Sequence, residues 1–329
     1  RDFESGVVLV NSTDSAQKIS FDSEYEKIHG TQDAKPNNGS IINSLEIPKE
    51  DGVVLLRPIE KIEDAVFLNG SFARIFNGSG QVARTGFFAY IQKFRGSTKI
   101  IYSDINNDGE KEVLASDKSK ITIYDSHEDY VGSFYPYGES FKGGVNFTLA
   151  DLNKDGKMEI ITSPETGGSN LIKTFNYEGW PVGQSFYAYR QAWKNLGSNV
   201  AAGDVNGDGE IEIITGAGFG GGPHVKIFDK NGKILKEFFA YGLKFQGGVN
   251  VASGDTNGDG TDEIITGAGF TGGPHVKIWD KNGKVLSQWF PYNKTGHEGV
   301  KVASSDVNHD GLDEILTLTT NVFTTSYLK

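Results

Sequence analysis

The stretch Asp204-Val205-Asn206-Gly207-Asp208-Gly209-Glu210-Ile211-Glu212 reads D-x-N-x-D-G-x-x-E. Asp204, Asn206 and Asp208 carry oxygen at alternate positions, so one tight loop can turn all three inward. A hard cation such as Ca²⁺ takes about six to eight oxygens. Gly209 lets the chain bend where a Cβ would clash. The carbonyl of Glu210 can add a backbone oxygen, and Glu212 can close the site from the next strand.

Four more copies keep Asp, Asn, Asp, Gly and Glu at the same offsets. Their side-chain ligands are Asp104, Asn106, Asp108 and Glu112; Asp151, Asn153, Asp155 and Glu159; Asp255, Asn257, Asp259 and Glu263; and Asp306, Asn308, Asp310 and Glu314. Glu110, Lys157, Thr261 and Leu312 stand where Glu210 does and would offer carbonyls. The first aspartates are 47, 53, 51 and 51 residues apart. A steady period of this length marks a repeat architecture such as a propeller. A bare polar turn would not need a carboxylate at the ninth place five times over.

Each period also carries strand signals. In the unit from Phe238 to Gln288, "GGVNVASGD" leads into the loop, "EIITGAG" leaves it, "PHVKIWD" follows, and a turn at Lys281–Lys284 opens "VLSQWFPY". Four short antiparallel strands make one propeller blade. Apolar residues such as Ile264, Ile265, Val276 and Ile278 would pack between blades, and a single blade cannot bury both faces alone. Aromatic tetrads end the units at Phe87–Tyr90, Phe134–Tyr137, Phe186–Tyr189, Phe238–Tyr241 and Trp289–Tyr292. Five loops and five tetrads count five blades. Ala65–Leu68 and Phe72–Phe76 read as late strands without a loop, and the chain end from Val300 reads as early strands without a late one. Joining the two partial units would close the ring; six blades, two of them incomplete, is the alternative.

These repeats resemble the FG-GAP/VCBS repeats of integrin-type β-propellers, on D-x-N-x-D-G-x-x-E followed by "EIITGAGFGGGPHVKIFD". The resemblance covers roughly residues 60–329 and implies a calcium loop between the first two strands of each blade. It departs at the ninth residue, which is usually Asp in integrin-type loops and is Glu here throughout. It also implies an extracellular setting and a role in adhesion, sugar binding or scaffolding.

Residues 1–57 lack the repeat. β-rich runs at Gly6–Val10, Gln17–Phe21, Tyr25–Ile28, Ile41–Ile47 and Val53–Leu56 are separated by turn signals, Asn37-Asn38-Gly39 and Asp51-Gly52 among them. They predict a small antiparallel β-sandwich, with a linker over 57–63. "GVVLVN", "YEKIHGTQD" and "DGVVLL" resemble the C-terminal sandwich of some TIM-barrel glycoside hydrolases, which implies a catalytic domain upstream. The opening Arg1 fits a piece of a longer chain.

Composition agrees. The 329 residues include 43 glycines and no cysteine, so disulfides and thiol chemistry are excluded. Five Ca²⁺ would bring the net charge from −11 to about −1, so the acidity is largely that of the loops. Uncompensated, it repels nucleic acid. No apolar run approaches the roughly 18 residues of a membrane span.

Other motifs point away from catalysis. Gly216–Gly221 and Gly267–Gly272 fit G-x-G-x-x-G, but strand patterns follow where a nucleotide site needs a helix. His224 and His275 share one repeat position and read as structural. No H-E-x-x-H or G-x-S-x-G occurs. The prominent carboxylates sit in the loops, where calcium would hold them ionised. In the tetrads, the leading ring reads as core between blades. The terminal tyrosines Tyr90, Tyr137, Tyr189, Tyr241 and Tyr292 are candidates for glycan contacts, since Tyr stacks on sugars and bonds through its hydroxyl. Asn11, Asn38, Asn69, Asn77, Asn146 and Asn293 sit in Asn-x-Ser/Thr sequons.

The expectation is a two-domain, all-β chain: a small sandwich over 1–57 and a calcium-binding β-propeller over 58–329. Its expected function is that of a non-catalytic binding or adhesion module, secreted or at the cell surface, holding about five structural Ca²⁺. Its ligand would be a glycan or an extracellular protein. The alternatives are an accessory region of a secreted glycoside hydrolase and an enzyme within the propeller.

Overall fold

The computed structural model describes residues 1–3, 6–28, 40–57, 64–66, 72–87, 99–190 and 195–319. These form 25 strands and no helix. The Asn37–Gly39 turn, linker residues 58–63, Leu68, Asn69 and Tyr90 lie outside the described residues.

Strands β1 (Asp2–Phe3), β2 (Gly6–Asn11), β3 (Gln17–Lys27), β4 (Ile41–Ile47) and β5 (Asp51–Leu56) hydrogen-bond in one sheet, in the order β1-β2-β5-β3-β4. The sequence predicts two packed sheets here; the described strands make one. The reason lies in β3, which joins two runs expected as separate strands. Its pairing with β4 shifts register between Ser20 and Tyr25, and its last residues then reach β5 at Leu55 and Leu56. Tyr25, Ile47 and Leu55 are buried.

The remaining strands form five four-stranded antiparallel sheets. The first runs β8 (Lys99–Ser103), β9 (Glu112–Ser116), β10 (Ile121–Tyr124) and β11 (Tyr130–Phe134). The second is β12 (Val145–Ala150), β13 (Glu159–Pro164), β14 (Leu171–Phe175) and β15 (Pro181–Tyr187). The third is β16 (Ser198–Gly203), β17 (Glu212–Ala217), β18 (His224–Phe228) and β19 (Ile234–Phe239). The fourth is β20 (Val249–Gly254), β21 (Glu263–Ala268), β22 (Val276–Trp279) and β23 (Val285–Trp289).

The fifth sheet is composite. β24 (Lys301–Ser305) and β25 (Glu314–Leu318) are followed by β6 (Phe72–Phe76) and β7 (Val82–Phe87) from the other end of the repeats. Ile315, Leu316 and Thr317 pair with Phe76, Ile75 and Arg74. The two partial units read from the sequence thus share one sheet.

Burial follows position in the sheet. The second strands β9, β13, β17, β21 and β25 are buried at every residue. Each lies between two neighbouring sheets, so both faces must be apolar, and Glu-Ile-Ile-Thr runs without alternation result. The outer strands β11, β15 and β19 are mostly exposed.

Five apolar cores join consecutive sheets. Ile101, Leu114 and Ile121 of the first meet Val145, Phe147 and Ile160 of the second. Ile161 and Ile172 meet Val200 and Ile213; Ile214 and Val225 meet Val249 and Ile264; Ile265 and Ile278 meet Val300 and Ile315. The last joins Ile75, Ala303 and Leu316 of the fifth sheet to Ile100, Tyr102 and Val113 of the first. Each fully buried Ile, Leu or Val contributes about 1.5–3 kcal/mol, and that gain is unavailable to a sheet without two neighbours.

Candidate functional site

The five D-x-N-x-D-G-x-x-E loops each link a first strand to a second, and all stand at one end of the ring. Their backbones agree. The fourth and sixth residues are left-handed in every copy: Asn107 and Gly109, Lys154 and Gly156, Gly207 and Gly209, Gly258 and Gly260, His309 and Gly311. One oxygen of the first aspartate accepts the N–H of the sixth residue at 2.8–2.9 Å in all five. The fifth-place aspartate accepts the N–H of the seventh at 2.8–3.0 Å.

The ninth-place glutamates, Glu112, Glu159, Glu212, Glu263 and Glu314, are buried. One oxygen of each accepts the N–H of the loop's second residue at 2.8–3.2 Å. The other accepts from the Asn amide at 2.5–3.0 Å. This explains the departure from Asp. The longer arm spans from the second strand to both donors and orients Asn106 and its equivalents. Burial, and then repulsion from the first- and fifth-place aspartates, raises all five carboxyls, Glu212 to about 7. Backbone N–H groups, against the opposing effect of burial, hold Asp255 and Asp306 below the usual range.

Among the described residues no three acidic or histidine side chains gather close enough to hold an ion. A cation in a loop would meet two aspartates, the Asn carbonyl oxygen, the backbone carbonyl of Glu110, Lys157, Glu210, Thr261 or Leu312, and the ninth-place glutamate. Those donors are all hard oxygens and fit Ca²⁺ in kind. The glutamate also accepts bonds within the loop and positions the Asn.

The hydroxyls of the four described tyrosines, Tyr137, Tyr189, Tyr241 and Tyr292, bond between sheets. The Tyr137 hydroxyl donates to Leu171 O at 2.9 Å and Tyr189 to His224 O at 2.9 Å. Tyr241 donates to His275 O at 2.8 Å and Tyr292 to Thr317 O at 2.7 Å. Each reaches the next sheet, beside Thr162, Thr215, Thr266 or Thr317, all fully buried. The hydroxyl that would bond a sugar instead satisfies a carbonyl between sheets. The leading rings are core, as expected: Phe134 packs on Phe175, Phe186 on Phe228, Phe238 on Trp279 and Trp289 on Phe76, at 4.8–5.4 Å.

His224 and His275 stack on the exposed rings of Phe239 and Phe290 at 4.7 and 4.4 Å. The glycine-rich turns at 218–223 and 269–275 lead into strands. Asn11 and Asn146 are buried and accept no glycan, whereas Asn293 is exposed. Two acids at the eighth place, unnoticed in the sequence, lie against the preceding sheet. Asp262 and Asp313 are raised by burial and by neighbouring aspartates to about 6 and about 7. Among the described residues no helix is long and apolar enough to cross a membrane.

The FG-GAP-like repeat model matches residues 104–162, and the FG-GAP repeat model matches 196–233. No curated protein matches the chain. The Vibrio cholerae biofilm matrix protein Bap1 is similar at 15% identity, over 87% of this chain and 42% of its own, with a TM-score of 0.38. A lectin of Agrocybe aegerita, described as recognising non-reducing terminal N-acetylglucosamine, is 16% identical over 76% of this chain and 71% of its own, at 0.42. The Dos1 propeller is 13% identical over 85% and 71%, at 0.43. The chain spans about half the length of the first solved structures it matches. The two matched stretches carry FG-GAP repeats, and the strand–loop–strand unit they share recurs from sheet to sheet in an all-β propeller fold.

Proposed function

We propose that the chain is a non-catalytic binding module in which a five-bladed ring is braced by calcium, one ion per loop. The observation that carries this is the recurrence of one loop backbone, with the same oxygen donors, at the same end of all five sheets. A turn serving only to reverse the chain needs neither the aspartate pair nor a buried glutamate fixing the Asn. Sites of this kind fill at the millimolar calcium found outside cells, so the module works in a secreted or surface-bound protein. Its ligand is a glycan or an extracellular protein.

Among the described residues the strands of 1–57 pair with one another and the inter-sheet cores do not include them, which supports reading 1–57 as a separate unit. An upstream catalytic domain, with this chain as its accessory region, is compatible with that arrangement.

The test is a melting curve with and without chelator. Five weak sites at about 1 kcal/mol each lower Tm by about 10 °C when stripped, and Ca²⁺ restores it. An unchanged Tm together with no calcium uptake in a titration removes the bracing role.

A further inference from the structure

The inner strands line a cavity of about 140 Å³ along the axis of the ring. At the end away from the Asp loops, the residue five places before each first aspartate is Lys99, Asn146, Asn199, Asn250 or Lys301. The asparagines tie adjacent inner strands. Asn146 donates to Ser198 O at 2.8 Å, Asn199 to Val249 O at 2.7 Å and Asn250 to Val300 O at 2.7 Å. The lysines occupy the fifth and first sheets, which pack together, so two ammonium groups share one side of an otherwise amide-lined wall.

Glu165, from the turn after β13, faces them with Oε1 3.6 Å from Lys301 Nζ. Burial opposes its charge, but Lys99 and Lys301 outweigh it and hold the carboxyl below its usual range. At this end, among the described residues, two lysines meet one carboxylate, while the acid lining the cavity itself, Asp64, donates its N–H to Tyr102 O three residues along β8 from Lys99. Burial pulls Lys99 down to about 7, with Glu165 raising it and Lys301 lowering it further. Asn146 is 3% exposed, lines the cavity, and its Oδ1 accepts from no donor among the described residues. Its Nδ2 is committed to Ser198 O, so the unused oxygen cannot be exchanged for the amide nitrogen without losing that bond.

We infer that this end of the axial cavity binds a small carboxylate carrying hydroxyl groups, of the size and chemistry of a single uronic acid. Lys99 and Lys301 take the carboxylate, and hydroxyls donate to Asn146 Oδ1 and to Glu165. A cavity of about 150 Å³ takes up benzene, so this one admits part of a uronic acid, which has about twice as many non-hydrogen atoms, and the rest stands outside it towards the turns. The exposed rings of Phe219 and Phe270, 5.7 Å apart, lie on turns at the same end of the sheets and offer a stacking surface to a further sugar. This gives the proposed binding module a ligand class and rests on that reading.

The full chain is titrated calorimetrically with D-glucuronate, with D-glucose and acetate as controls, and with a glucuronate-terminated disaccharide. D-Glucuronate is expected to bind at one site, with both controls at least about tenfold weaker. Tighter binding of the disaccharide identifies a polysaccharide end as the source, and equal binding a free acid. Lys99→Asn and Lys301→Asn copy the amide found in the other three sheets, so neither lowers the melting temperature. Each weakens D-glucuronate at least about tenfold. No D-glucuronate binding by the folded protein, or unchanged affinity in Lys301→Asn, overturns the site. Should that happen while chelation still lowers Tm or another ligand still binds, the module reading stands and only this site falls.

Discussion

At the scale of single residues, the fourth loop position is the clearest case of local cost. Gly207 and Gly258 take its left-handed conformation freely, but His309 is held there at φ 60°. Left-handed backbone costs an L-residue about 1–2 kcal/mol, offset in part by the entropy glycine loses on folding. His309→Gly is therefore expected to raise stability by about 0.5–1 kcal/mol, read from urea unfolding at fixed calcium. Lys154→Gly is a poorer probe, because Lys154 also pairs with Glu210 at 2.6 Å. Lys99 bears a different cost. Its folded pKa of about 7 lies below the usual lysine value of 10.5, mainly through burial. The folded state thus sheds a proton that the unfolded chain keeps between those values, and stability from this residue rises with pH across that window. Lys99→Asn should gain most over wild type below pH 7 and lose its advantage towards pH 10, as thermal melts across that range would show. A variant gain that stays constant with pH would contradict a buried charge at this position.

At the scale of elements, the strands were legible because fully buried second strands leave an unbroken apolar run, Glu263-Ile264-Ile265-Thr266 being the plainest. The loops were legible because their oxygens alternate. Neither pattern shows where a side chain ends up when its partner is in another repeat. Tyr189 looks like a surface tyrosine beside exposed Tyr187, yet its hydroxyl crosses to His224 O. Glu212 accepts from both Val205 N–H and the Asn206 amide, which the loop spacing alone does not show. The lysines at the channel were readable by setting the five repeats in register, where Lys99 and Lys301 break a run of asparagines. Contacts between sheets also explain the hairpin glycines. Gly232, at φ +81°, lies flat on the ring of Phe186 from the preceding sheet, where a Cβ would come within 2.4 Å. Gly183 has a similar φ of +65° but open space around it. Gly183→Ala should cost about 1 kcal/mol for the backbone alone, and Gly232→Ala at least about twice that. In a Phe186→Ala background the cost of Gly232→Ala should fall to that of Gly183→Ala. Equal costs for the two glycines in the wild-type background would remove the inter-sheet latch.

At the scale of the molecule, the ring holds acids at one end and Lys99 with Lys301 at the other, and its closure rests on β6 and β7. Thr317 Oγ1 donates to Arg74 O at 3.1 Å across 243 residues of chain, and Ile75 is 1% exposed between the fifth and first sheets. Without these strands the fifth sheet keeps two of four, and the first loses part of the surface it packs on. An open array leaves an apolar face at each end. Two truncations separate closure from the N-terminal sheet. A chain of residues 58–329 retains β6 and β7 and should melt close to the full protein, since among the described strands β1 to β5 pair with one another. A chain of residues 88–329 loses Ala73, Ile75 and Phe76 from the core. At about 1.5–3 kcal/mol for each large side chain, and about 2–4 °C per kcal/mol in a domain of this size, its Tm should fall by about 10 °C or more. Hydrogen exchange should show the first and fifth sheets losing protection while the third keeps it, because the third touches neither truncated edge. If residues 88–329 melted with residues 58–329, the composite sheet would not be what closes the ring.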